Sequence, residues 1–445
     1  MRNPEEIFAA RVPRYTSYPT APHFHAGIDA AAYGRWLKAL DPAAPLSLYV
    51  HIPFCDTLCW FCGCHTKVVN TYSPLGGYLD VLLREIELVA AALGARRRVT
   101  HIHWGGGSPT MLRPGDMHRL AAALRERFDV APDAEFAVEI DPRGFAAGLS
   151  RTLAAIGVTR ASVGVQDFDP DVQRAINRLQ DFETTANCVR LLRSDGIERL
   201  SVDLIYGLPH QTVAGLSRTI EQVLALAPDR LAVFGYAHVP GFKKHQKLIP
   251  ESALPDLRAR FAQAEAARAQ LVAAGYEPVG LDHFARHDDP MAIARRNGTL
   301  ARNFQGYTTD TAPALIGFGA SAIGSLPQGY VQNFTEVPAW RAALQCGELP
   351  VWRGIALSEE DRIRREVIGK LMCDLEVDLA AVAGGRGPGM FAANLAALQP
   401  MARDGLVVID GTHIRVPEAW RAAVRVVCAA FDSYLGTAGT HSVAV

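Results

Sequence analysis

From about residue 46 to 240, short apolar runs alternate with longer stretches whose apolar positions recur at helical spacing. The short runs, Leu46–Ile52, Val99–Trp104, Glu135–Ile140, Ala161–Val165, Leu200–Ile205 and Leu231–Phe234, predict strands. Between them, Tyr78–Leu93, Pro114–Phe128, Ala147–Ile156, Glu183–Ser194 and Val213–Ala227 predict amphipathic helices. Such alternation sets parallel strands side by side through helical crossovers, an α/β architecture. Six such units build either a partly closed barrel or an open doubly wound sheet, and the pattern does not choose between them.

Residues 255–275 predict one long Ala- and Arg-rich helix ended by Gly275, and residues 280–330 are loop-rich and dense in polar and aromatic side chains. From about Ser358 the pattern changes. Helices Glu359–Cys373 and Met390–Ala402 precede Leu406–Ile409, an Asp410-Gly411 turn and Thr412–Val416, and a final helix Ala419–Leu435 follows. Asp-Gly between alternating apolar residues signals a hairpin, and the set resembles a winged-helix module. Its helices carry no basic face, so a structural or lid role is expected rather than DNA binding.

Composition narrows the class. With 445 residues, 49% hydrophobic and 20% charged, the chain has the balance of a folded soluble protein of several domains. Its formal charge of −1 names no partner, and the densest basic cluster, Arg96–Arg98, lies at a predicted helix end. Met1–Arg14 mixes charged and apolar residues and lacks the apolar core of a signal peptide. Charged residues interrupt every apolar run before the ~20 residues a bilayer crossing needs. A cytoplasmic protein without a membrane span or a nucleic-acid partner is expected.

Four of the eight cysteines, Cys55, Cys59, Cys62 and Cys64, fall within ten residues, while Cys188, Cys346, Cys373 and Cys428 are scattered. A disulfide framework would spread pairs along a small secreted domain, so this crowding points to metal or redox chemistry. The segment follows the first predicted strand, at its C-terminal end, where α/β folds build sites. Its spacing is C-x3-C-x2-C, and soft thiolates so close together favour zinc or an iron–sulfur cluster. A zinc tetrad completed by Cys64 or His65 would be strained in so short a segment, and no second C-x2-C exists to supply it. A redox disulfide between Cys59 and Cys62 is a weaker alternative. Three cysteines that leave one iron open suit catalysis, because the vacant position takes a substrate or cofactor.

Supporting residues stand at other strand ends. Trp104-Gly105-Gly106-Gly107-Ser108-Pro109-Thr110 follows the second strand, and is either a plain turn or a place where backbone approaches a ligand closely. Glu139, Gln166 and Asp203 each lie at or just beyond the end of a predicted strand, which makes them a site hypothesis as a group.

The C-x3-C-x2-C spacing with Phe61 before the last Cys resembles the signature of radical S-adenosylmethionine enzymes. The resemblance implies a partial (β/α)6 barrel and a [4Fe–4S] cluster held by Cys55, Cys59 and Cys62. It also implies that S-adenosylmethionine chelates the fourth iron and is cleaved to a 5′-deoxyadenosyl radical. Nearly the whole chain resembles the oxygen-independent coproporphyrinogen III oxidases. Matching segments are Pro13–Thr20, Gly63-Cys64, Gly164–Phe168, Asp203–Pro209, Asp282–Arg286 and Arg302–Thr309.

That family resemblance implies oxidative decarboxylation of two propionates of coproporphyrinogen III to vinyl groups, giving protoporphyrinogen IX. It implies S-adenosylmethionine contacts from Tyr49, Phe61, Gly106, Glu139, Gln166, Arg178, Asp203, Ala237 and Ile323, with Gly107 and Ser108 matching further contacts of the glycine loop. The family binds two such molecules, and some of these residues serve the second. Cys64 is implied to matter in catalysis without ligating the cluster. A flavodoxin- or ferredoxin-like electron donor and a monomeric state are expected. Asp203 suits ribose hydroxyls, Arg178 suits a carboxylate, and Arg14, Arg286 and Arg302 are candidates for the substrate's propionates.

The expected organisation is a substrate-side segment 1–45, a barrel core 46–240, an extension with substrate-side loops 241–355, and a C-terminal winged-helix-like domain 356–445. Two departures from the family pattern stand out: His65 where Asn is common, and Ser108 where Thr is common. The rival reading is a haem-binding chaperone on the same scaffold, a relative that usually lacks the Cys after Gly63 and the Arg-Tyr-Thr-Ser-Tyr-Pro segment, both present here.

Overall fold

A computed structural model describes residues 9–436 of the chain; the first eight residues of the N-terminal segment and the last nine of the C-terminal one lie outside the described residues. All six predicted strands form: β1 (Leu46–Ile52), β2 (Arg98–Gly106), β3 (Asp129–Ile140), β4 (Arg160–Gln166), β5 (Arg199–Tyr206) and β6 (Arg230–Gly235). They pair in parallel and in chain order. A doubly wound sheet needs its strand order to reverse at a switch point. No reversal occurs between β1 and β6, and right-handed crossovers of constant direction leave their helices on one side. The arrangement is therefore of the partial-barrel type.

The connecting helices match the hydrophobic period. In Ser73–Leu93, the residues Leu75, Leu79, Leu82, Ile86 and Val89 are buried at spacings of three and four. They join Leu48, Val50 and Ile102 of the sheet in the largest core cluster. Asp181 and Thr212 cap two of the following helices, accepting from the amides of Thr184 (2.8 Å) and Gly215 (3.0 Å). All seven residues of β1 are buried, as expected of a strand covered on both faces.

Residues 280–330 depart from the expectation of loops. With Tyr276–Val279 (β7) they supply His283–Arg286 (β8), Ala314–Phe318 (β9), Ile323–Leu326 (β10) and Gly329–Asn333 (β11), and Val351–Ala356 (β12) follows. The sheet has twelve strands in the order β12-β11-β10-β9-β1-β2-β3-β4-β5-β6-β8-β7, with β9 parallel to β1 and the flanking pairs antiparallel. These strands are only four to six residues long, and every residue of β9 and β11 is buried. So short a run with no alternation carries no strand signal of its own.

In the C-terminal region, helices Glu359–Asp374 and Ala392–Arg403 and the hairpin Val408–Asp410/His413–Arg415 form as predicted, with Gly411 in the left-handed region at the turn. A third strand, Glu376–Asp378, pairs with His413–Arg415. The final helix is broken. A 3-10 turn Glu418–Ala423 leaves helical geometry at Trp420 before helix Val424–Ala429, and Arg421 folds back onto Glu418 with both oxygens within 2.7 Å. No helix among the described residues is long and apolar enough to cross a membrane.

One buried carboxyl ties helix Ser73–Leu93 to the later strands. Glu85 accepts from the Gly319 amide (2.7 Å), Asn333 Nδ2 (2.6 Å) and Trp340 Nε1 (3.1 Å). Burial nevertheless outweighs these bonds and pushes the group up to about 7 from 4.5. The folded state thus holds the proton more tightly than the unfolded chain. Its contribution is complete below pH 4.5 and is lost as pH rises through 7, a change of about 3 kcal/mol. Glu85→Gln is expected to flatten the fall in urea midpoint between pH 4.5 and 7; an unchanged slope would refute the assignment.

Candidate active site

Beyond β1 the chain enters an irregular loop that carries the four clustered cysteines. A two-residue parallel pairing, Phe54–Cys55 with Lys67–Val68, closes its base. Between these ends its carbonyls are taken up by side chains from elsewhere, as buried or half-buried backbone requires. Asn177 donates to Leu58 (2.8 Å), Gln246 to Phe61 (3.0 Å) and Lys243 to Cys64 (3.0 Å), while the rings of His245 and His51 bond Cys62 (2.7 Å) and His65 (3.0 Å). The loop is thus held rigid without regular secondary structure.

A cavity of about 190 Å³ opens where this loop meets the ends of β2 to β5. Twelve of the residues singled out from sequence line it: Cys55, Cys59, Phe61, Cys62, Cys64, Gly106, Gly107, Ser108, Glu139, Gln166, Arg178 and Asp203. Tyr49, Ala237 and Ile323 do not. The Tyr49 hydroxyl bonds His51 Nδ1 at 3.0 Å, the Ala237 carbonyl accepts from Gln246 at 3.2 Å, and Ile323 packs on the cluster around Phe24.

The glycine run is set by its neighbours. Gly106 has φ +107, and a Cβ there would stand 2.4 Å from the His51 ring; a Cβ on Gly107 would stand 2.4 Å from the Phe54 carbonyl oxygen. The Gly106 amide donates to Glu139 Oε2 (2.9 Å), whose Oε1 meets His103 Nε2 (3.1 Å). Burial pushes Glu139 up, but these bonds outweigh it and hold the carboxyl below its ordinary value. Asp203 has one hydroxyl partner, Ser162 at 3.3 Å, and burial beside the Glu139 charge pushes it up to about 6. The cavity therefore offers two firmly ionised carboxylates, Glu139 and Asp141, and in Asp203 one that takes up a proton as pH falls through about 6.

Positive groups surround the thiols. Arg178 Nη1 lies 3.5 Å from Cys59 Sγ and 3.2 Å from Asp141, and its Nη2 donates to the Gly164 carbonyl at 2.8 Å. Arg143 Nη2 lies 3.6 Å from the same sulfur and 2.6 Å from Asp141. Ser108 Oγ donates to Cys55 Sγ at 3.9 Å and the Cys64 amide to Cys62 Sγ at 3.4 Å. The Cys64 thiol also donates to Cys62, which is drawn below its ordinary value, whereas burial pushes Cys55 up to about 12. Asp141 and Arg143 escaped the sequence reading, although Asp141 follows β3 directly, the position that marked Glu139.

A second cavity, of about 410 Å³, shares Cys64 with the first and is lined by Arg14, Arg260, Arg302, Arg421 and Arg425 together with Tyr206 and Asp282. Arg14 donates to the Gly235 carbonyl (2.8 Å), Arg260 to Tyr236 (2.8 Å), Arg302 to Tyr15 (3.2 Å) and Arg14 (3.3 Å), and Arg425 to Pro13 (3.0 Å). Arg260 Nε and Arg302 Nη1 are buried without a partner. Burial, with neighbouring arginines adding, draws Arg260 and Arg425 below the ordinary guanidinium value, Arg425 to about 10. Arg286 stands apart: it is exposed and 3.7 Å from Asp288. Arg260 and Arg425 lie in helical stretches of ordinary composition, and nothing local to them signals a site.

Comparison with known proteins agrees with this geometry. Residues 49–223 match the radical SAM superfamily and residues 357–419 the HemN C-terminal domain. Oxygen-independent coproporphyrinogen III oxidase of Bradyrhizobium diazoefficiens is 51% identical over 96% of this chain and 95% of its own length. The Escherichia coli protein of that name is 42% identical over 95% of this chain and 93% of its own. A solved structure of the E. coli coproporphyrinogen III oxidase HemN, described as a radical SAM enzyme, superposes with a TM-score of 0.91 at 40% identity, covering 96% of this chain and all of that one.

Radical SAM membership implies a [4Fe–4S] cluster and S-adenosylmethionine. The residues fit that pair. Four thiols line one cavity, three of them in the C-x3-C-x2-C spacing, two guanidiniums would offset the charge of ligating thiolates, and Arg178 Nε is buried without a partner at its wall. With sequence motif, fold and full-length relatives in accord, this chain belongs to the radical SAM superfamily and, within it, to the oxygen-independent coproporphyrinogen III oxidase family.

Proposed function

We propose that the protein converts coproporphyrinogen III to protoporphyrinogen IX by oxidative decarboxylation of two propionates. The observation that carries this reading is the meeting, at Cys64, of a thiol-lined cavity and an arginine-lined one. A cluster with S-adenosylmethionine supplies, when bound, a radical that takes a hydrogen atom from a propionate β-carbon. Loss of CO2, with one electron passing to a separate one-electron acceptor, would then leave the vinyl group, the abstracted hydrogen staying on 5′-deoxyadenosine.

Cys55, Cys59 and Cys62 are the assigned cluster ligands, with Arg143 and Arg178 balancing thiolate charge. Two molecules of S-adenosylmethionine are assigned to Tyr49, Phe61, Gly106, Gly107, Ser108, Glu139, Gln166, Arg178, Asp203, Ala237 and Ile323. At pH 7 Asp203 is mostly ionised and accepts from a hydroxyl, gaining its proton as pH falls through about 6, while Glu139 stays ionised. Arg14, Arg260, Arg302 and Arg425 hold the carboxylates of the tetrapyrrole, because guanidinium forks match carboxylates and clustered like charges welcome an anion. Cys64 stands between radical source and substrate. Residues 9–45 bring Arg14 to that cavity, a role that suits a substrate-side segment.

The test is anaerobic reconstitution with iron and sulfide, followed by product analysis with coproporphyrinogen III and equilibrium binding of S-adenosylmethionine. Vinyl product and two bound molecules per chain are expected. Tight haem binding without turnover would replace this reading with that of a haem carrier.

A further inference from the structure

Only six of the 45 Lys and Arg residues in the chain are lysines, at 38, 67, 243, 244, 247 and 370. Two segments supply four of them, and both segments border the cysteine loop. Lys67 closes the loop's base, and Lys243, Lys244 and Lys247 lie in a stretch whose Lys243 and His245 bond the Cys64 and Cys62 carbonyls. A shallow depression of about 400 Å³ is walled by Lys67, Lys243, Lys244, His65, His245 and Cys64. Glu336 is the one acid among its described lining residues, and it pairs with Lys67 at 3.2 Å. Phe242 and Val68, 67% and 44% exposed, add an apolar surface to the same rim.

An arginine-rich chain that sets four of its six lysines beside one loop has put compact, strongly hydrated charges there rather than bidentate forks. Such charges steer and release a partner instead of clamping it, as a transient electron-transfer encounter requires. The loop beneath the rim carries the assigned cluster ligands, and His245 touches that loop through one hydrogen bond at Cys62.

We propose that this lysine rim is the docking surface for a small acidic one-electron carrier protein. The inference rests on the cluster assignment above. One electron leaves the carrier, whose flavin passes from hydroquinone to semiquinone, and reduces the [4Fe–4S] cluster from the 2+ to the 1+ level.

Flavodoxin is the probe. With the reconstituted protein, Lys244→Glu/Lys247→Glu is expected to raise the KM for reduced flavodoxin about tenfold and to flatten its dependence on ionic strength. Binding of oxidised flavodoxin at low salt should weaken in parallel. The cluster absorbance and S-adenosylmethionine cleavage driven by dithionite should stay at the parent level. Glu336→Lys, which removes the rim's acid, should act in the opposite direction and lower that KM. Unchanged flavodoxin binding in both variants would overturn the docking surface while leaving the cofactor reading intact. Failure of the parent protein to cleave S-adenosylmethionine with dithionite would instead strike the cofactor reading itself.

Discussion

Alanine at Cys55, Cys59 or Cys62 is expected to remove the iron–sulfur absorbance of anaerobically reconstituted protein and to drop turnover to background, whereas Cys64→Ala keeps the absorbance. The contrast follows from placement. The three ligand candidates and Cys64 all line the thiol cavity, but Cys64 alone also faces the arginine-lined one. It meets Cys62 as a hydrogen-bond donor. Losing one of three thiolates leaves two irons without protein donors beside two guanidiniums that had offset the lost charge. Arg143→Ala and Arg178→Ala should be milder, costing on the order of 10- to 100-fold in cluster retention or activity, as groups that orient and neutralise ligands do. Absorbance spectra and iron content read out each variant. A zinc-loaded protein, or a cluster that survives loss of all three thiols, would sink the assignment.

The second large effect concerns substrate. Arg302→Ala is expected to lower kcat/KM for coproporphyrinogen III roughly 10- to 150-fold, the loss of about 1.5–3 kcal/mol from one hydrogen-bonded charge. Cluster content and uncoupled S-adenosylmethionine cleavage should persist. Arg302 lies over the Tyr307 ring at 4.4 Å with Nη1 buried and unpartnered, so its fork is aimed before any ligand arrives. Lysine at 302 should recover little, because an ammonium offers neither the fork nor the stacking plane. Since Arg302 also braces the N-terminal segment through Tyr15, Arg260→Ala serves as the independent variant. Arg286→Ala is the control, expected to match the parent because its guanidinium faces Asp288 outside the cavity. Steady-state kinetics with quantified vinyl product separate these outcomes, and equal losses at 286 and 302 would remove the case for the arginine cavity.

The cysteine loop and the succession of strands β1 to β6 along the chain could be read directly, because each rests on local features: three cysteines in eight residues, and apolar periodicity within single elements; their side-by-side order in the sheet could not. Glu139, Gln166 and Asp203 followed from the same logic, since the end of a parallel strand is recognisable from the strand. Arg14, Arg286 and Arg302 looked alike as loop arginines, yet only two of them reach the second cavity.

What only the tertiary structure decided is where distant segments meet. β9 pairs with β1 across more than 250 residues, filling an edge that its five residues did not advertise. Arg14, Arg260, Arg302 and Arg425 converge from four separate segments, each held by backbone carbonyls rather than by any sequence neighbour. The amino-acid order by itself determined the thiolate trio and the strand–helix repeat, whose interactions lie within a few residues. The arginine-lined cavity depends on long-range closure, in which side chains of unremarkable local context come to share one wall and one charge only after the chain has folded.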